Sequence, residues 1–339
     1  MTARHRAAIL AIAAALVSTS ASANDSTAEL ATGGLVFVRN DNVEMRSEEL
    51  TISLEQVHVR YRFFNKTAKD VTVLVAFPMP EIRITGPSDN ISVPTEDPFN
   101  LLGFATTVNG KPVKTEVEQR VVAAGLDRTQ LLTSLKIPLA PHLPATGAAL
   151  DKLPKDRWDE LIRLGLAEIE EFDAGKGMER HLAPRWSLRT TYYWQQTFPA
   201  KAELTVEHRY TPSVGASVQT SLGEPGAVKE PWYQDYMRKY CMTKSFLDGI
   251  AKVRRETKTQ HGAPFSEQRI EYILHTASNW SGPIGEFRLI VDKGEADSLV
   301  SFCGEGVKRI SPTRFELRRT NFVPESDFRV LVLKRLPKE

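Results

Sequence analysis

The chain has 339 residues, two cysteines, and 44 lysine and arginine residues against 42 aspartate and glutamate. Its basic residues are scattered rather than gathered into one stripe, which removes the electrostatic footprint that nucleic-acid binding requires. Beyond its first segment, no stretch approaches the roughly 18 consecutive apolar residues of a membrane-spanning helix.

That first segment carries Arg4, His5 and Arg6, then the apolar run from Ala7 to Val17, then small residues ending in Ala21, Ser22 and Ala23. Charged, apolar and cleavable parts in this order are those of a secretory signal peptide over residues 1–23. At about 11 residues the run is roughly half of what crosses the hydrocarbon core, so cleavage after Ala23 is expected rather than anchoring. The mature chain would begin at Asn24, be periplasmic or secreted, and have no membrane span.

Alternation of period two dominates the first third of the mature chain. Leu50, Ile52 and Leu54 mark a strand. Val57, Val59, Tyr61 and Phe63 share one face of the next, with His58, Arg60 and Arg62 on the other. Asn65 to Asp70 read as a polar turn, and Val71, Val73, Val75 and Phe77 resume the alternation until Pro78 and Pro80, which predicts a hairpin. A second hairpin is expected about Asn109-Gly110, a dipeptide suited to the positive φ values of a type I′ turn.

The period changes between about residues 126 and 181. A short helix is predicted over Arg128 to Leu135, a proline-containing loop over Ile137 to Gly147, and a longer amphipathic helix through Trp158, Leu161, Ile162, Leu164, Leu166 and Ile169. Strands return at Ser187 to Phe198 and Ala202 to Tyr210. Thr211 to Pro231 reads as a linker and a helix lies within Trp232 to Ala251. Strands are then expected at Arg269 to His275, Glu286 to Val291, Ser298 to Phe302, Arg314 to Arg319 and Phe328 to Leu333. The expected fold class is all-β, mainly antiparallel, with two β-sandwich-like domains: residues 24–213, carrying the helical insertion, and residues 214–339, a helix followed by a second sandwich.

Cys241 and Cys303 lie in the mature region, where export favours oxidation, so a disulfide between them is expected. No nucleophile elbow, P-loop, zinc-protease or dinucleotide motif occurs, and no catalytic residue, metal or cofactor is assigned. The six mature histidines, His58, His142, His181, His208, His261 and His275, lie too far apart in sequence to define a ligand set. His208 is in phase with the apolar residues of its strand; His58 is not. Glu168, Glu170, Glu171, Asp173 and Glu179 could supply a general acid and base or merely a solvated helix face. Asp41, Glu44, Glu48 and Glu49 offer oxygen ligands without the regular spacing of a calcium loop. Trp186, Tyr192, Tyr193 and Trp194 are the candidate ligand-binding residues. One face of that strand is core; the other is either an aromatic platform for a sugar, an apolar ligand or a protein, or packing beneath the insertion.

The stretches VRYRFFNKTAKDVTVLVAFPMPEI, AEIEEFDAGKGMERHLAPRW, TVEHRYTPSVGAS and DSLVSFCGEGVKRISPTRFE resemble the DUF4424 family of bacterial exported proteins over nearly the whole mature chain. The resemblance implies export and supplies no catalytic residues, since the family's function is unknown. More faintly, YRFFNKTAKDVTVLVAFPMPE, GFATTVNGKPVKTEVEQR and FPAKAELTVEHRY are similar to the vault protein inter-alpha-trypsin (VIT) domain, a β-sandwich, with a departure between Arg120 and Phe198 where the insertion falls. The function expected is a non-catalytic binding or structural role in the cell envelope, with an envelope protein or glycan as partner. The rival is a periplasmic hydrolase of cell-wall or polysaccharide material, its site between the insertion and the first sandwich. Convergent carboxylates or a Ser/His pair lining a cleft would favour the rival.

Overall fold

Strands whose alternate residues are apolar must bury one face, and the chain does so by stacking sheets. The structure, a computed structural model, describes residues 24–31, 34–84, 90–173, 175, 177–224, 226–257 and 263–337. The expected signal segment and His261 lie outside these residues. Among them, a seven-stranded sheet runs in the order Leu126–Asp127, Glu116–Ala123, Ser187–Phe198, Val71–Pro78, Ser26–Ala31 and Gly34–Val38, with Ile82–Arg83 also beside Ser187–Phe198. An eight-stranded sheet runs Lys308–Arg309, Arg314–Phe322, Ile284–Asp292, Val43–Ile52, Val57–Asn65, Glu203–Tyr210, Ala105–Val108 and Lys111–Val113. A five-stranded sheet runs Leu299–Phe302, Phe328–Arg335, Phe265–Tyr272, Val214–Ser217 and Asn90–Ser92. The protein is mostly β, and nearly all pairings are antiparallel.

The first expected hairpin does not form. Val57–Asn65 pairs with Val43–Ile52 and Glu203–Tyr210, whereas Val71–Pro78 pairs with Ser187–Phe198 and Ser26–Ala31 in the other layer. Each strand has one apolar face, and the two faces bury each other only across layers; side by side, both would need a third element to cover them. Phe63 accordingly meets Phe198 with ring centroids 5.7 Å apart, and Phe77 lies 5.2 Å from Phe104. Asn65 closes the arch between layers: fully buried, it donates to the carbonyls of Lys69 at 2.8 Å and Phe198 at 2.9 Å. The second hairpin does form, with Asn109 at φ 48° and Gly110 at φ 76°. Its return strand is short, Lys111–Val113, and the chain then crosses to the seven-stranded sheet at Glu116–Ala123.

Hydrogen bonds cross the division expected near residue 213. Ile284–Asp292 runs parallel to Val43–Ile52, placing Leu289 opposite Leu50. Val214–Ser217, read as linker, joins Asn90–Ser92 to Phe265–Tyr272. One hydrophobic core runs from Val43 to Val332. Trp280 is fully buried against Phe63 at 4.6 Å and Phe198 at 5.7 Å. Period two reveals a strand without naming its partner, and a parallel neighbour leaves no turn to announce it. The expected helix within Trp232 to Ala251 is two, Pro231–Lys239 and Lys244–Thr257, held by a smaller core against Leu331 and Leu333.

Within 126–181 the helices are Thr129–Ser134, Pro144–Asp151 and Lys155–Arg163, and a hairpin pairs Ala167–Asp173 with Met178–Pro184. The helix expected to run through Ile169 therefore stops at Arg163. Gly165 at φ 70° ends it: its N–H bonds to Ile162 and that of Leu166 to Leu161, the paired bonds of a Schellman motif. Leu161 is fully buried, Trp158 and Ile162 are half-buried, Arg163 is exposed, and Ile169 is exposed on the hairpin. Trp158→Ala should therefore lower stability by about 1 to 3 kcal/mol, less than for a fully buried tryptophan, and Arg163→Ala by no more than about 0.5 kcal/mol. Urea unfolding of the two variants checks the assignment of faces, which is wrong if Arg163→Ala is the more costly.

Candidate functional site

Where the insertion meets the edge of the seven-stranded sheet, a cleft of about 590 Å³ opens, lined by Glu81, Arg83, Glu168, Arg185, Ser187 and Arg189 over a floor of small residues from Val122 to Gly125. Ile82–Arg83 and Ser187–Phe198 place Arg83, Ser187 and Arg189 side by side, because their register puts Ser187 opposite Arg83. Arg83 Nε donates to Ser187 Oγ at 3.0 Å, and Glu81 accepts from Arg83 at 2.8 Å and from Arg189 at 2.5 Å. Arg185, with its side chain only 11% exposed, is gripped by Glu168 and, at 2.9 Å, by Glu170. Burial pushes the Glu81 carboxyl up, but hydrogen bonds from Arg83 and Arg189 outweigh it and hold it below the usual range. A hydrogen bond from Arg185 likewise lowers Glu168. Both acids are therefore carboxylates near neutrality, serving to fix the guanidinium planes rather than to donate protons.

A second constellation lies in the interior where the three large sheets meet. His208, from Glu203–Tyr210, contacts Asp25 Oδ1 through Nε2 at 2.8 Å and Thr106 Oγ1 through Nδ1 at 3.0 Å. Beside it Asn24 Nδ2 donates to Glu48 at 3.1 Å, and Tyr61, whose hydroxyl donates to Asn24, lies 3.0 Å from the Tyr272 hydroxyl. Thr276 Oγ1 and Trp280 Nε1 donate to the backbone carbonyls of Asn24 and Asp25 at 3.0 and 2.6 Å. Asn24, Asp25, Glu48, Tyr61, His208 and Tyr272 are all fully buried. Burial pushes the Asp25 carboxyl up and His208 pulls it part of the way back. Glu48 is pushed up to about 8, by burial first and by the neighbouring Asp25, against hydrogen bonds from Asn24 and Tyr272. Burial also raises both tyrosines well above their ordinary value. The order Thr106, His208, Asp25 has the connectivity of a nucleophile relay, but Thr106 is 4% exposed and its partners not at all, so the relay faces no solvent.

The aromatic candidates are mostly interior. Trp186 is buried beneath the insertion, its Nε1 donating to the Leu139 carbonyl at 2.8 Å. Tyr192 is buried against Phe104 at 4.4 Å, its hydroxyl reaching Asn100 Oδ1 at 3.0 Å. Trp194 is buried near His208, and Tyr193 is half-buried on the opposite face with Ala28, Leu35 and Ala76. Trp186, Tyr192 and Trp194 are thus core, and of the four Tyr193 alone keeps part of its surface open. The acidic residues of the insertion line a hairpin, not a helix: Glu168 and Glu170 hold Arg185, Glu171 pairs with Arg180, Glu179 with His181, and Asp173 accepts from Gly175 and Gly177. Among Asp41, Glu44, Glu48 and Glu49 only Glu48 is buried, and Glu49 points to the opposite face; among the described residues no three His, Cys, Asp or Glu converge as a metal site. Cys241 and Cys303 are bonded, with Cα atoms 4.9 Å apart.

Residue-by-residue reading missed Asn24, Asp25 and Glu48, as well as the cleft's arginines. Glu48 had a signal: Val43 and Met45 are in one phase and Leu50 and Ile52 in the other, which requires the bulge found between Met45 and Ser47 and turns Glu48 inward.

These features define a layered, mostly antiparallel β protein with an arginine-lined cleft and a sealed polar cluster. The model of a domain of unknown function, DUF4424, matches residues 23–331, and the chain belongs to that family. No curated protein matches it. A solved structure from Legionella pneumophila, described as "a putative nutrient binding protein", is similar at 17% identity with a TM-score of 0.43, over 92% of this chain and 70% of the other. Among the described residues no helix is long and apolar enough to cross a membrane.

Proposed function

We propose that the protein is exported to the cell envelope, loses residues 1–23, and there binds an anion-bearing envelope component in the cleft between the insertion and the seven-stranded sheet, without catalysing its conversion. The observation that carries this reading is the fixing of Arg83 and Arg189 by Glu81, and of Arg185 by Glu168 and Glu170, around one opening. Guanidiniums held in place before binding lose little freedom when a carboxylate or phosphate arrives, which is where Arg outperforms Lys. The hydrolase reading gains nothing from the interior relay, because a substrate cannot reach it. The VIT-like reading of residues 24–213 concerns fold alone and adds no partner.

Retention of ligand tests the proposal. Mature protein mixed with a native envelope extract and examined by native mass spectrometry is expected to keep an acidic envelope component, and Arg83→Ala with Arg189→Ala to weaken it about tenfold or more, some 1.4 kcal/mol. Both side chains are partly exposed, so the double variant should keep its thermal midpoint within a few degrees. Equal retention by the variant, or none by either protein, overturns the reading.

A further inference from the structure

The interior cluster contains more acid than base. His208 answers Asp25, but Glu48 has no cation: its neighbours are Asn24, Asp25, Tyr61 and Tyr272, and His208 is already engaged on both ring nitrogens. One oxygen of Glu48 and one of Asp25 are buried without any hydrogen-bond partner. A carboxylate buried in that condition either destabilises the fold strongly or takes up a proton. Asn24, which donates to the other Glu48 oxygen, is also the residue expected to become the first of the mature chain.

We propose that the α-ammonium group released on Asn24 is the missing cation, and that it docks inside the protein against Glu48 and the free oxygen of Asp25. The inference rests on the export reading, since it needs the bond between Ala23 and Asn24 to be cut. Signal peptidase adds water across that bond: Ala23 leaves with the new carboxylate, Asn24 keeps the amine, and near neutrality the amine takes a proton from solvent. A peptide nitrogen, which can only donate one neutral hydrogen bond, thereby becomes a cation with three donors on the residue whose own side chain already holds Glu48 at 3.1 Å. The surrounding contacts fix Asn24 for this role. Its carbonyl accepts from Thr276, its side-chain oxygen from Tyr61, and its Nδ2 also reaches the Leu274 carbonyl at 3.4 Å, so the eight-stranded sheet and the connection that follows Phe265–Tyr272 grip it.

The two forms should differ in how stability responds to pH. With residue 23 still attached, Glu48 must carry its proton in the folded state while the unfolded chain releases it above about pH 4.5, so stability falls as pH rises from there to about 8. With a free α-ammonium, Glu48 is an ionised partner, and that fall disappears until the amine itself loses its proton. Asp25 faces the same site and is tied to His208 in both forms; the ammonium at its free oxygen opposes the upward push of burial in the Asn24 form alone, so Asp25 adds to the difference in the same direction.

Two chains identical except at their starts, one beginning at Asn24 and one at Ala23, would be compared by thermal unfolding at pH 5, 7 and 8. The Asn24 form is expected to melt about 5 to 10 °C higher at pH 7, with the gap shrinking at pH 5. Glu48→Gln should lower the Asn24 form and raise the Ala23 form, since an amide replaces the acid without needing a charge. As a readout that does not depend on a folded variant, the α-amine of the Asn24 form should resist acylation at pH 7 in the native state and react fully in denaturant. Equal melting of the two chains at pH 7, or an α-amine that reacts as fast folded as unfolded, overturns the docking. Intact mass of the protein recovered from its natural compartment tests the export reading separately: a chain still carrying residues 1–23 would sink that reading while leaving the engineered comparison to stand or fall by itself.

Discussion

Replacing His208 by leucine is expected to destabilise the protein by about 3 to 5 kcal/mol at neutral pH, because it strips the buried Asp25 carboxylate of its imidazole partner. The pair is wholly buried, with Nε2 and Oδ1 2.8 Å apart, so water cannot take the place of the imidazole. Thr106 would lose its partner as well. The loss should depend on pH in a stated direction. Without His208 the folded-state pKa of Asp25 rises further above its unfolded value, so the folded variant holds a proton that the unfolded chain gives up. Stability is then greatest in acid and is lost as pH rises through that raised pKa. The variant should lie closer to wild type at pH 5 than at pH 8. Joint replacement by His208→Leu and Asp25→Leu should recover much of the loss, since an apolar pair removes the charge along with its partner. Urea unfolding at the two pH values checks this, and a cost below about 1 kcal/mol at pH 8 would show that Asp25 is satisfied by some other group.

Removing the disulfide is expected to cost about 4 kcal/mol. Cys241 follows the helix Pro231–Lys239 and Cys303 follows the strand Leu299–Phe302, and the two are 62 residues apart in sequence. Closing a loop of that size restricts the unfolded chain by roughly this amount in the chain-entropy model. The bond also fastens the helical layer to the edge of the five-stranded sheet, where Ser301 Oγ donates to the Tyr240 carbonyl at 3.0 Å. Cys241→Ser with Cys303→Ser, or wild type in excess dithiothreitol, should both show the shift in urea unfolding. Agreement between the two would assign the effect to the cross-link itself and not to the serines.

Strands were legible wherever one face was apolar, and Ser187–Phe198 and Glu203–Tyr210 fall where the alternation places them. Partnership was not. Val57–Asn65 and Val71–Pro78 look like a hairpin in one dimension because a polar turn joins them, yet the same turn serves an arch between layers. The buried Asn65 was the distinguishing residue: it keeps the inward phase of Val57, Val59, Tyr61 and Phe63, but as a polar residue at the start of the turn it reads as part of the turn. The helix ending at Arg163 was extended too far because Leu166 and Ile169 keep an apolar rhythm, although Gly165 gave the stop. At the interior cluster His208 was visible by its phase, whereas the inward turn of Glu48 follows from a bulge that only a change of phase between Met45 and Leu50 signals. Asn24 and Asp25 were not, since their burial depends on residues such as Leu274 and Thr276, near the far end of the chain. The cleft's arginines come from separate elements, and their proximity exists only once the insertion has folded back on the sheet.

The parallel pairing of Val43–Ile52 with Ile284–Asp292 also bears on how such a chain can be delivered. A polypeptide that crosses a membrane from its N-terminus emerges with Val43–Ile52 early and with Ile284–Asp292 near the end. Through most of that passage the eight-stranded sheet has one side of its central strand unpaired, an open row of backbone donors and acceptors of the kind that captures other chains. Pairing across roughly 230 residues is slow to close, so under the proposed export this edge stays open until the last sixth of the chain has arrived. A product broken off before residue 284 would keep that open edge permanently, and the segment from Ile284 onward thereby acts as a seal on the central strand.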